Sequence, residues 1–120
     1  MLYTNLRHIE SSTDYANVIQ ENEHVMIICG RMDPICIPVY RIAEELEEEY
    51  IHVNFFDMEL DNPQSEIIRY LPEVEGLKST PLLLYFKNGQ IIKATSGIQT
   101  KAQMTVILEN EFSEILSTKS

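Results

Sequence analysis

The sequence has no tryptophan, only two cysteines, three histidines and nine basic residues against nineteen acidic ones. It also has no apolar run approaching the ~18 residues that cross a membrane as a helix. Each shortage excludes something. Cys29 and Cys36 are too few for a secreted disulfide framework, and a chain of 120 residues buries roughly 65% of its unfolded surface without one. His8, His24 and His52 are scattered through three segments without ligand spacing, so neither a metal site nor a bound cofactor is expected. The formal charge of −10 repels phosphate backbones and anionic lipid, which argues against nucleic acid and membranes as partners. The opening MLYTNLRHIE has no basic segment leading into an apolar one, so the expected compartment is cytoplasmic. Much of the acid sits in EELEEEY, Glu44 to Tyr50, either a solvated helix face or an interaction patch for a basic protein.

Local patterns supply an order of elements. A strand-like LYTNLRHI leads to Ser11, Ser12, Thr13 and Asp14, an N-cap cluster for a short helix with Tyr15, Val18 and Ile19 on one face. HVMIIC is a continuous apolar, β-branched run, the pattern of a central strand covered on both faces, and it ends at Gly30. Val39, Ile42, Ala43, Leu46 and Tyr50 recur at helical spacing and turn the glutamates outward. IHVNFFDMEL predicts a second central strand. Asn62 and Pro63 open a third helix carrying Ile67, Ile68 and Leu71, which Pro72 ends. TPLLLYFKNGQIIKATSG holds two strands around an Asn88-Gly89 turn, a strong hairpin signal. Thr100 and Gln103 are spaced as a capping box for a last helix with Met104, Ile107, Leu108, Phe112, Ile115 and Leu116 on its apolar face. The order β-α-β-α-β-α-β-β-α, in one domain over residues 1–120, predicts an α/β fold with a mixed central β-sheet and helices on both faces.

These segments in this order resemble thioredoxin over nearly the whole chain, from about His8 to Leu116. PLLLYFKNGQIIKATSG is similar to that family's cis-proline strand, its K-N-G turn and the glycine that follows. DNPQ resembles the loop into its third helix, and GIQTKAQMTVILENEF resembles its final helix and cap. The resemblance implies the thioredoxin fold and a cis Thr80-Pro81 peptide. It breaks at the redox motif. Where the family has W-C-G-P-C, this chain has Met32-Asp33-Pro34-Ile35-Cys36, so that Cys36 matches the resolving cysteine and Asp33 replaces the attacking one. A carboxylate forms no mixed disulfide, and the two-cysteine cycle lacks its first step. The family's buried acid corresponds to Ile27, and its two tryptophans to Cys29 and Met32. The D-P-x-C pattern also resembles that of a spliceosomal branch of the fold, which works by binding proteins.

The residues themselves leave several readings of this stretch open. Asp33 followed by Pro34 suits a helix N-cap and first position, but Pro38 lacks the N–H that would bond a carbonyl near Pro34, so the helix is expected to start irregularly or near Ile37. Cys36 is either a protonated core thiol or a reactive one, because the helix dipole lowers its pKa and the nearby carboxylate raises it. A bridge between Cys29 and Cys36 across GRMDPI is a further reading, and it requires Cα atoms within ~7 Å. The resemblance adds a peptide groove in which the residue before the cis-proline offers its backbone to an extended segment, lined by Met32, Thr80, Pro81, Ser96 and Gly97. Two functions follow. One is a chaperone-like binding or adaptor module whose partner is a protein or extended peptide segment. The other is a thiol-disulfide oxidoreductase of cell redox homeostasis acting through Cys36, alone or paired with Cys29. A glutathione-type site finds little support, since Arg31 is the one basic residue flanking the motif.

Overall fold

The structure, a computed structural model, describes residues 2–112. Strand β1, Arg7–Ile9, is followed by α1, Ser12–Glu21, whose N-cap Ser11 accepts from the Asp14 amide. Next come β2, His24–Gly30, α2, Ile37–Glu49, and β3, Asn54–Glu59. A 3-10 turn, Pro63–Ser65, leads into the single-turn helices α3, Glu66–Arg69, and α4, Pro72–Glu75. The hairpin strands β4, Leu82–Lys87, and β5, Gln90–Ser96, then precede α5, Lys101–Phe112. Thr100 and Gln103 form the reciprocal cap read from their spacing, with bonds of 2.9 and 3.1 Å. Asn88 and Gly89 both take positive φ, 54° and 82°, as a tight hairpin turn with left-handed central residues requires.

Three elements differ from the sequence reading. The first strand contains three residues rather than all of LYTNLRHI, because Thr4 turns its hydroxyl back to the Leu6 amide and bends the segment before it. The strand expected to start at Ile51 starts at Asn54, since the Val53 amide bonds the Tyr50 carbonyl at 3.0 Å and makes a turn of Ile51–Val53. The single third helix of the predicted β-α-β-α-β-α-β-β-α order, expected to end at Pro72, is a 3-10 turn followed by α3, and a further single-turn helix, α4, starts at Pro72 itself. Leu71 is extended ahead of Pro72, as a residue before proline prefers, so the proline starts a new helical turn as well as ending the old one. The residues Ile115 and Leu116 of the expected apolar face lie outside the described residues.

All five strands join one sheet in the order β1-β3-β2-β4-β5, with β1, β3 and β2 parallel and β4 and β5 antiparallel. Parity along β2 divides the core. Met26 and Ile28 pack with Phe55, Leu83 and Tyr85 beneath α2 and α5, whereas Val25, Ile27 and Cys29 pack with Phe56, Leu82 and Leu84 beneath α1, α3 and α4. All seven residues of β2 are buried, which accounts for an uninterrupted apolar run instead of an alternating one. Each large aliphatic side chain so covered contributes about 1.5–3 kcal/mol. No helix among the described residues is long and apolar enough to cross a membrane.

Candidate functional site

Asp33 shapes the loop that joins β2 to α2. Its Oδ1 accepts from the backbone amides of Ile35 at 3.0 Å and Cys36 at 2.8 Å, and its carbonyl accepts from the Ile37 amide at 3.0 Å. The aspartate thus caps a turn that precedes the regular helix. Pro38 has no N–H to offer, and α2 begins at Ile37, where Val39 and Tyr40 both donate to the Cys36 carbonyl. The Cys36 amide above all, with smaller help from the Ile35 amide and the Arg31 charge, holds the Asp33 carboxyl below its usual range.

Cys36 is wholly covered. Burial pushes its thiol pKa up and the Asp33 carboxylate pushes the same way, outweighing the Arg31 backbone amide and the Thr80 hydroxyl, which favour the thiolate. The balance is a protonated thiol. Cys29 is equally buried, and desolvation, then the charge of Asp57, drives its pKa far up. Both thiols are free, and they stand on opposite faces of the sheet, Cys29 among Ile27 and Leu82 and Cys36 among Ile28 and Val39. The bridged pair is therefore corrected. Successive strand residues point to opposite faces, and Cys29 lies one residue out of phase with Gly30, the position that faces the Cys36 sulfur.

The Thr80-Pro81 peptide is cis, and Pro81 is buried against the bare backbone of Gly30. Its carbonyl accepts from the Gly97 amide at 3.0 Å, which ties the β4 approach to the end of β5. Thr80 itself stands ahead of the ladder, which begins with Leu82 opposite Cys29 and Ser96. Around it lies a shallow groove of about 420 Å³ lined by Ile35, Lys78, Ser79, Thr80, Gly97 and Ile98. Ile35 is 48% exposed and Ile98 69% exposed, so two large apolar side chains flank an open stretch of backbone.

Of the five residues expected in this groove, Thr80 and Gly97 line it and Pro81 supports it from below. Met32 does not belong to its lining. It packs against the core beneath α2, and its sulfur accepts from the Tyr3 amide at 3.3 Å. Ser96 also does not, being the last ladder residue of β5. Ile98, Ser79 and Lys78 were missed. An isoleucine directly after Gly97 with no periodic partner was the available signal.

Two further groupings join residues far apart in the chain. Arg31, Arg69 and Lys78 line a depression of about 370 Å³ that shares Lys78, Ser79 and Thr80 with the groove. Arg31, the one basic residue flanking the motif along the chain, is joined here by two that come from distant segments. At the other edge of the sheet, the wholly buried Asp57 accepts from the Thr4 hydroxyl and lies 2.6 Å from His8 Nδ1. Desolvation raises the Asp57 pKa, and the Thr4 and His8 bonds pull it back in part.

No protein-family model matches the sequence, and no curated protein matches it. Solved structures do. A thioredoxin from Plasmodium falciparum aligns with a TM-score of 0.75 at 20% identity, over 88% of this chain and 99% of that one. Mitochondrial thioredoxin 3 from Saccharomyces cerevisiae aligns with a TM-score of 0.73 at 21% identity, over 87% of this chain and 94% of that one. For a thioredoxin from Trypanosoma brucei brucei the TM-score is 0.76 at 17% identity, over 93% of this chain and 95% of that one. The chain has the thioredoxin fold. On the thioredoxin fold, Asp33 to Cys36 occupies the β2–α2 junction at the carboxyl end of the parallel strands, where α/β sheets place their functional sites. The chemistry offered there is a capped carboxylate, a covered thiol and an open apolar groove beside them.

Proposed function

We propose that this thioredoxin-like protein is a binding or adaptor module that holds extended polypeptide segments in the groove around Thr80, without exchanging disulfides. The observation that carries this reading is the contrast within one site. The groove presents exposed Ile35 and Ile98 beside Thr80, while the adjoining Cys36 is buried and its thiol pKa is raised. An extended peptide gains backbone hydrogen bonds from a strand end that stands outside its ladder, and apolar side chains of the peptide find Ile35 and Ile98. None of these contacts needs a thiolate. Disulfide exchange does, since the thiolate is the nucleophile, and Asp33 supplies no second sulfur.

The test is fluorescence anisotropy with a labelled peptide carrying Val-Leu-Val in an otherwise polar, uncharged sequence, alongside insulin reduction with dithiothreitol as electron donor. Binding is expected in the wild type and in Cys36→Ser, with a loss of several-fold in Ile98→Asp, and no insulin reduction above the reductant alone. Turnover that disappears in Cys36→Ser would overturn the proposal in favour of an oxidoreductase.

A further inference from the structure

We infer that the groove selects acidic segments, so that the partner is an extended peptide carrying aspartate or glutamate next to an apolar residue. This inference rests on the peptide-binding reading of the same groove and adds the chemistry of the occupant. The chain carries nineteen acidic and nine basic residues, yet three of the nine, Arg31, Arg69 and Lys78, line a depression that shares Lys78, Ser79 and Thr80 with the groove. They arrive from three separate segments: the loop after β2, the end of α3 and the approach to β4. Glu75 is the one carboxylate in the lining. Arg31 is engaged by Asp61 at 2.8 Å, whereas Arg69 and Lys78, both exposed, make no ion pair among the described residues.

The arrangement matters because of what surrounds it. An acidic peptide meets repulsion over most of a surface with a formal charge of −10, and in this depression three cations stand against one carboxylate. A peptide lying along Thr80 with an apolar residue between Ile35 and Ile98 passes Lys78, which lines both hollows. Its neighbouring acidic side chains then face Arg69 and Lys78. A basic peptide finds the opposite pattern, attraction to the glutamates of α2 and repulsion at the groove, so charge sets both choice and register.

The experiment compares two labelled peptides with the same Val-Leu-Val centre, one flanked by glutamates and one by glutamines, against the wild type, Arg69→Gln and Lys78→Gln by anisotropy at low salt. The glutamate peptide is expected to bind more tightly, and each charge removal to weaken it about two- to fivefold, with Arg69→Gln, which lies outside the groove lining, leaving the glutamine peptide unchanged. Equal affinity for the two peptides, unaltered by either substitution, would overturn the inference and leave the groove reading standing. Absence of binding for both peptides in the wild type would overturn the two together.

Discussion

Gly30→Ala is the substitution to which this site should respond most sharply. A Cβ built on Gly30 lies 2.5 Å from the Tyr40 hydroxyl, 2.9 Å from the Cys36 sulfur and 3.2 Å from the Pro81 Cβ. None of the three has room to withdraw. Tyr40 is wholly buried and donates to the Arg31 carbonyl at 3.1 Å, Cys36 is covered at the start of α2, and Pro81 is fixed by its ring and by the Gly97 bond. Overpacking a rigid site costs about 1–3 kcal/mol. Against it stands the roughly 0.4–1 kcal/mol that alanine gains over glycine by restricting the unfolded chain. A net loss of up to about 2.5 kcal/mol follows, or a fall in Tm of up to about 10 °C for a domain of this size. Gly76 provides the control. It ends α4 with ordinary negative φ and nothing within 4 Å of a new Cβ, so Gly76→Ala should keep the gain of about 0.4–1 kcal/mol. Urea melts of the two variants decide the matter. Equal stability of Gly30→Ala and Gly76→Ala would refute the packing of Cys36 and Pro81 onto bare backbone.

Other consequences are as specific. The Cys29 and Cys36 thiols should react with a thiol reagent only after unfolding, whereas Asp33→Cys, which puts a sulfur at the half-buried cap position, should confer Cys36-dependent insulin reduction; fast labelling of the native wild type would contradict this. Tyr15 and Tyr50 have phenol pKa values raised from 10.0 to about 12, both mainly by burial, with the Glu109 carboxylate 2.6 Å from the Tyr50 hydroxyl adding to the second. A folded-state pKa above the unfolded one means stability present in full below pH 10.0 and lost as the pH rises through about 12. Urea midpoints measured over that range should fall steadily, and Tyr50→Phe should flatten the decline; a wild-type midpoint indifferent to alkali would refute the assignment.

Much of the fold was legible because its signals are local. Ser11 at the head of α1, Asn62 with Pro63, the Asn88-Gly89 turn and the Thr100–Gln103 cap each act within four residues, and each forms as its chemistry requires. Pro38 likewise announced where α2 could become regular. Apart from the local turn that delays β3 to Asn54, the misses have a different cause. The Thr4 hydroxyl that accepts from the Leu6 amide and bends the chain before the first strand also donates to Asp57 across the sheet, a long-range partner that no local pattern announces. Pro72 was taken as a terminus because the turn it starts depends on burying Val74 beside Ile68. The sides taken by Cys29 and Cys36 follow from strand parity only once the face covered by α2 is known. Arg31, Arg69 and Lys78 form one patch where the loop after β2, the end of α3 and the approach to β4 meet, which no spacing along the chain encodes.

The most direct test of peptide binding without thiol chemistry is a backbone amide NMR titration of wild type and Cys36→Ser, under reductant, with the glutamate-flanked Val-Leu-Val peptide. Binding in the groove predicts saturable shifts at Ile35, Lys78, Ser79, Thr80, Gly97 and Ile98, with the same dissociation constant in both proteins. Shifts that vanish in Cys36→Ser, or that fall on α2 and leave these residues unmoved, would contradict it.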